Sequence, residues 1–439
     1  MLLSRVKINL ILIITIFAAS QQVQAETLPP RDECKTNLII WHPYEGKKGK
    51  IFLELIKKYH EKYPHTCITS DYVNWYDMGR KVTNNVYRSN KLDIFIDVSY
   101  MAPLNTEIVS PLDVESLKAS KQQTLSPIAS CALTVNDVLY GIPLEIETTA
   151  AIFNRDYLQD APQTLDELIN NAESFSLNSE ERFGLSYEYK SPYHHSIIMN
   201  GYTAERFNYQ KEEWDIANEL VAKSYQNVLN WRDKTKILSP VSSRENTVNL
   251  FNDGKSLFAF ISPAQVFNSN SNTQLLSDKV NYDFFRYPYL NASKQTKLTP
   301  WSIITGIFIA QSVQDYKAAL KFSIWLSSED AQKSFFEIPT YVSANDSIYS
   351  KDIIPLNKWQ DGFYRQSRHS IPYPNQFGDS EYITAFYYAN EAIFDKKGDI
   401  MKNLNIFEDA MNKENWSHKI ENTRCNYSVQ ASTDNGTSL

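Results

Sequence analysis

Glycine is scarce in this chain, at 12 of 439 residues, and no G-x-G-x-x-G or G-x-x-x-x-G-K stretch occurs. No glycine loop is therefore on offer to cradle a phosphate at a helix N-terminus. Metal motifs are missing as well. The seven histidines are His42, His60, His65, His194, His195, His369 and His418, and none stands in an H-E-x-x-H or similar spacing. His194 and His195 are adjacent, and adjacent side chains diverge on a helix or a strand. Neither a metal nor a cofactor is expected. There is no G-x-S-x-G elbow and no cysteine with an evident histidine partner, which argues against nucleophilic hydrolase chemistry. No Lys/Arg cluster has the look of a nucleic-acid stripe and the formal net charge is −7, so a nucleic-acid partner is not expected.

Long apolar runs are also missing, apart from one at the start. Arg5 and Lys7 precede an apolar run from Ile8 to Ala19, and Val23-Gln24-Ala25 follows. That order reads as a cleaved signal peptide over residues 1–25, since a membrane anchor needs roughly 20 apolar residues. Its removal takes away Arg5 and Lys7 and brings the charge of −7 to −9. An exported chain meets oxidant, so the four cysteines (Cys34, Cys67, Cys131 and Cys425) can form two bridges in three pairings. Cys34 precedes the first expected strand and Cys67 begins the second. Neighbouring parallel strands favour Cys34–Cys67, leaving Cys131–Cys425 by elimination, with free buried thiols the remaining option.

What the chain has is aromatic side chains: 27 Tyr, 22 Phe and 8 Trp, or 13% in all. A skewed genome composition accounts for this as well as a tyrosine-lined cleft does. The elements alternate. Strand Asn37–Trp41 precedes a helix with apolar Ile51, Phe52, Leu55, Ile56 and Tyr59 at helical spacing. A strand over Cys67–Val73, a further helical stretch and an apolar strand, Leu92–Val98, follow. This is the pattern of an α/β protein with a parallel sheet of βαβ units. From Cys131 to Phe153 strands are expected, broken at Asp137 and at Gly141-Ile-Pro143. Thr164 and Glu167 form a capping box that opens a helix. Strands Ser256–Ile261 and Trp301–Ala310 and helices Tyr316–Leu326 and Glu381–Phe394 complete the reading.

Open α/β sheets bind ligands at the carboxyl ends of their strands. The first strand ends in Trp41, Tyr44, Glu45 and Lys47, and the third in Asp97, Ser99 and Tyr100. Glu145 and Glu147, two apart in an extended stretch, share a face. Carboxylates accept paired hydrogen bonds from vicinal hydroxyls, and aromatic faces stack on sugar rings. A neutral polyol suits this set.

Several segments, in order and spacing, resemble the extracellular solute-binding proteins of ABC importers, in the class that includes maltose-binding protein. They are Leu38–Trp41 with the helix ending Tyr59–Pro64, Leu92–Asp97, Leu139–Leu158, Pro162–Leu168, Phe251–Pro263 and Ala318–Gln332. The resemblance spans about 37–396. It implies a periplasmic-binding-protein-like fold of two α/β lobes joined by a hinge of crossing strands, with the lobes discontinuous. Residues 26–145 plus 262–345 would form the first lobe and 146–261 plus 346–415 the second, with a tail at 416–439. It implies a monomeric, periplasmic, non-enzymatic receptor that closes on a small molecule, a sugar favoured, and engages an inner-membrane permease. By position it adds Tyr193, Trp301 and Tyr387 to the ligand contacts. Two departures bear on the ligand: Ala264 stands where oligosaccharide binders often carry Trp, and the glycine pair before Trp301 is missing. Other readings are polyamine binding, a partner-docking protein using the Tyr-rich stretch 359–377 and the tail, and a glycosidase with a carboxylate pair.

Overall fold

The computed structural model describes residues 34–88, 91–99, 107–120, 124–177, 179–203, 207–208, 213–349, 354–373, 380–395 and 398–413. The expected signal peptide, Tyr100, Cys425 and the tail lie outside the described residues. Among those residues no helix is long and apolar enough to cross a membrane.

Two sheets organise the chain. The first contains β1 (Thr36–His42), β2 (Thr66–Tyr72), β3 (Ile94–Val98) and β4 (Gly141–Thr148). The second contains β5 (Ala150–Asn154), β6 (Phe183–Ser186), β7 (Ser256–Ile261) and β8 (Tyr282–Phe285). The long strand β9 (Trp301–Ile309) and the short β10 (Ile371–Pro372) belong to the first sheet. There β1 runs parallel to both β2 and β3, while β9 lies antiparallel to β3 and β4 and parallel to β10. In the second sheet β5 pairs antiparallel with β7 and β8, and β6 runs parallel to β7.

The βαβ reading of the first third holds because its signals are strong. Helix Gly46–Lys62 buries Ile51, Phe52, Leu55, Ile56 and Tyr59, the five positions its apolar spacing marks. All five residues of β3 are buried, as a near-continuous apolar run requires. The Cys34–Cys67 disulfide joins the starts of β1 and β2, whose register pairs Thr36 with Thr66. Cys131 is also disulfide-bonded.

The stretch 131–153 differs from the sequence reading. Pro127–Ala132 is a helix, and Gly141-Ile-Pro143 begins β4 without breaking it. Proline cannot donate to a ladder, and the structure absorbs this with a register shift where Pro143 meets Gly306. The turn at Asp137 is present, with both Asn136 and Asp137 at positive φ between two short antiparallel strands. The capping box differs in one bond. Thr164 accepts from the Glu167 backbone N–H, but the Glu167 carboxylate accepts from Gln163 and not from Thr164.

Two buried clusters lie on the two sheets, and the first also reaches one face of the second sheet through Ile152, Ala259, Ile261 and Tyr282. One gathers Leu38, Ile40, Phe52, Ile94, Phe95, Ile307 and Phe308, and ends in the chain at Phe363. The other gathers Phe153, Leu185, Tyr225, Phe258, Phe260 and Trp301, and ends at Met411. The chain passes from the first sheet to the second at Thr149, returns over 286–300, and rejoins the first sheet at β10 after helix Lys358–Ser367. Strand β8, within the stretch that the sequence assigns to the first lobe, is hydrogen-bonded into the second sheet. Return to the first sheet therefore comes only with β9. Tyr287 ties the crossings together: its hydroxyl donates to Thr149 Oγ1 at 3.1 Å and its N–H to Gln366 Oε1 at 3.4 Å. The fold is two α/β lobes joined by crossing strands.

Candidate functional site

Strand β4 leads into the crossing, and it carries Glu145 and Glu147 on one face, as residues two apart must. A cavity of about 520 Å³ opens there between the lobes. The first lobe contributes Lys48, Glu145, Glu147, Ile338 and Thr340. The second contributes Arg244, Val248 and Asn249 from helix Arg244–Asn252, then Gln265 and the hairpin residues Phe267–Asn270.

Charge is arranged in matched pairs. Lys48 Nζ donates to both oxygens of Glu145, at 2.7 and 3.0 Å, and lies over the rings of Tyr44 and Tyr341. Arg244 Nε donates to Glu188 Oε2 at 3.3 Å. Glu147 has no such partner among the described residues. Burial and the neighbouring Glu145 raise its pKa above the ordinary value, while Lys48 and Arg244 pull it back.

Gln265 is held from behind. Its Oε1 accepts from Ser262 N–H at 2.9 Å, from Ser262 Oγ at 3.1 Å, and lies 3.0 Å from His194 Nε2. The backbone donor fixes the amide orientation, so the His194 nitrogen that faces it carries the hydrogen. Burial lowers the His194 pKa to about 3 and keeps the ring neutral. Gln265 lines the cavity, and its Nε2 is buried without a hydrogen-bond partner among the described residues. The two adjacent histidines diverge, His195 reaching Ser224 Oγ at 3.2 Å.

The other residues singled out from the sequence fall in several places. Trp41 is half-buried on the first core, and Tyr44 is buried against His42, Phe52, Trp75 and Phe335. Glu45 is exposed and accepts from the Tyr72 hydroxyl and from Asn270 Nδ2. Lys47 turns away from the cavity to the Glu337 carbonyl at 2.7 Å. Its neighbour Lys48 occupies the place expected for it, because one residue on a helix is a rotation of about 100°. Trp301 does not face the cleft. It is fully buried in the second core against Tyr373 and Phe386, since it opens β9 where the chain leaves that lobe. Tyr193 is half-buried on the same core. Tyr387 is 39% exposed, and its hydroxyl lies 3.3 Å from Ser191 Oγ. Burial raises the Tyr387 pKa, and Tyr76 of the first lobe is among the groups that raise it further.

Asp97 and Ser99 sit at the end of β3, two apart and so on one face, both fully buried. Asp97 Oδ1 accepts from Val98 N–H, but Asp97 Oδ2 and Ser99 Oγ have no hydrogen-bond partner among the described residues. Burial pushes the Asp97 carboxyl well above its ordinary 3.8. In the unfolded chain this group ionises near 3.8, and in the folded chain only at higher pH. Its contribution therefore turns destabilising as pH rises from 3.8 towards the folded value. Asp97→Asn should stabilise the ligand-free protein by on the order of 2 kcal/mol at pH 7. The gain should shrink towards pH 4, which denaturant melts at the two pH values would read. A gain that does not change with pH would count against this account.

Lys48, Arg244, Gln265 and the hairpin are the cleft residues that motif reading did not mark. Among the described residues no cluster of three or more His, Cys, Asp or Glu is placed to hold a metal.

The model of the bacterial extracellular solute-binding protein family matches residues 54–361. Among curated proteins, the galactooligosaccharide-binding protein of Bacillus subtilis (strain 168) is 23% identical over 250 residues, which is 55% of this chain and 58% of that protein. The maltotriose-binding protein of Pyrococcus abyssi (strain GE5 / Orsay) is 22% identical over 182 residues, covering 41% and 40% of the two chains. The chain thus aligns with little more than half the length of one of these relatives and less of the other. Among solved structures, a cyclo/maltodextrin-binding protein complexed with maltotetraose superposes with a TM-score of 0.73 at 18% identity, covering 89% of this chain and 98% of that one. An extracellular solute-binding protein from Staphylococcus aureus in complex with maltose gives 0.70 at 16% identity, covering 88% and 98%. With the family model matching more than half of this chain and the two-lobed fold shared over most of it, this chain belongs to the bacterial extracellular solute-binding proteins.

Proposed function

We propose that the protein is the periplasmic receptor of an ABC importer, capturing a neutral sugar or short oligosaccharide between its lobes and presenting the closed form to a membrane permease. The observation that carries this is the arrangement of polar groups around the cavity. Glu147 is a carboxylate acceptor without an ion-pair partner among the described residues, and the side-chain amides of Asn249 and Asn268 stand on the same cavity wall. A sugar hydroxyl both donates and accepts, so one ring answers both. The names of the relatives, which bind galacto-oligosaccharides and maltotriose, support the same class.

Pairing of the charges favours a neutral ligand. A polyamine would have to compete with Lys48 for Glu145 and with Arg244 for Glu188. The same pairing speaks against a glycosidase, because Glu145 is taken up by Lys48 and is not free to serve as the second carboxyl of a catalytic pair. The receptor instead gains from closure, which is driven by tighter binding to the closed state. The described part of the aromatic stretch 359–377 is engaged in packing. Trp359 donates to the Tyr282 hydroxyl, and Phe363 and Tyr373 are buried.

The test is a thermal-shift screen of the chain without residues 1–25 against maltose, maltotriose, galacto-oligosaccharides, spermidine and amino acids. A ligand at 100 times its Kd adds about 2.7 kcal/mol. A sugar response supports the reading. Stabilisation by spermidine alone keeps the receptor and overturns the sugar, and no response across the panel overturns both.

A further inference from the structure

We propose that the hairpin 267–274 of the second lobe is a latch that closes one end of the cleft against helix 46–62 and so limits the length of sugar chain the receptor holds. This rests on the sugar-receptor reading above. The hairpin is built from the short strands Phe267–Asn268 and Thr273–Gln274. Its tip is preorganised, because Asn268 Oδ1 accepts from the N–H groups of both Asn270 and Ser271.

Three independent features join the tip to the first lobe. Helix 46–62 begins with free N–H groups, and Glu45 at its N-cap position gives it no side-chain cap. The cap comes from the other lobe, where the Ser269 carbonyl accepts from Lys47 N–H at 3.3 Å. Asn270 Nδ2 donates to Glu45 Oε2 at 3.0 Å, while the other Glu45 oxygen is held by Tyr72. Between these bonds Gly46 has φ +53°, and a Cβ there would stand 2.6 Å from the Asn270 Cα and 2.8 Å from the Ser269 carbonyl oxygen. Two backbones from different lobes therefore meet at a residue that only glycine fills without strain. The same hairpin walls the cavity with Phe267 and Asn268. A sugar chain lying in the cleft meets this wall and cannot run past it while the latch is shut.

The experiment uses the chain without residues 1–25 as wild type, Asn270→Ala and Gly46→Ala. The first variant removes one bond and leaves the backbone free to fold. In the absence of ligand, spin labels at the exposed positions Lys57 and Lys279 report the distance between lobes. Both variants should shift that distance to longer values. Calorimetric titration with maltose, maltotriose and maltoheptaose then reads length preference. Wild type should bind the short sugars at least about tenfold tighter than maltoheptaose, and the variants should narrow that ratio by about tenfold. Unchanged label distances in both variants, or a length preference that both retain, would overturn the latch. If no sugar binds wild type, the sugar reading fails by itself, and the label distances alone decide whether the hairpin holds the lobes together.

Discussion

Glu147→Ala weakens sugar binding by roughly 100-fold, while leaving the fold intact. A hydrogen bond to an ionised group is worth roughly 1.5–3 kcal/mol, or about 10- to 150-fold in Kd. Glu147 stands at the upper part of that range for two reasons. Its site is screened from water, and the side chain is not already engaged in an ion pair, unlike Glu145 with Lys48. Its removal also leaves Lys48 and Arg244 with less negative charge nearby, an excess that a neutral ligand does not offset. Burial and Glu145 place its pKa above the ordinary 4.5. Affinity should therefore be full at neutral pH and fall as pH drops through that raised value. The isosteric Glu147→Gln should lose the pH dependence along with much of the affinity. Titration calorimetry at pH 7 and pH 5 on wild type and both variants measures this. Equal affinity of wild type and Glu147→Ala for the best sugar would remove Glu147 from the site.

Loss of the Cys34–Cys67 bridge should lower stability by about 3.5–4 kcal/mol. The two cysteines are 33 residues apart, and closing a loop of that size restricts the unfolded chain by about this much in the chain-entropy account. The bridge sits where little else secures the start of β1. Thr36 and Lys35 donate to the His65 carbonyl, and Thr36 Oγ1 donates to Asp315. The measurement is denaturant unfolding of Cys34→Ser/Cys67→Ser beside wild type, followed by a first-lobe signal. The first-lobe transition should move and the second-lobe transition should stay. A shift below about 1 kcal/mol would mean that the unfolded chain is already held compact near these residues.

Much of the architecture was legible in the residues because its signals are local. Periodicity located helix 46–62 and the buried β3, and β7 and helix Tyr316–Leu326 coincide with their expected bounds. The pairing Cys34–Cys67 followed once β1 and β2 were read as parallel neighbours. Errors arose where a local rule met a tertiary exception. Pro143 signalled a break, but a register shift opposite Gly306 accommodates it within β4. In the site, β4 was readable because alternation along a strand leaves no freedom. The helical residue was missed by one position, since helix phase cannot be set to 100° from a loop whose exit is not known. Trp301 was placed in the cleft by analogy of position, whereas the strand that follows it begins inside the second core. Arg244, Gln265 and the hairpin have no local mark at all. Arg244 shares the cavity with Glu147 through the helix that leads into β7, and Gln265 and the hairpin do so because they follow the end of β7.

Neither core is assembled from one stretch of chain, and this sets an order in time. Strand β9 lies between β3 and β4, so the first sheet stays split until residues 301–309 are present. The second core waits longer, because Leu404, Phe407 and Met411 fill it from the far end of the described chain. A chain delivered from its N-terminus therefore completes nothing early. Such long-range closure slows folding. The arrangement that builds a cleft between two lobes also keeps the chain open and threadable until nearly all of it has arrived.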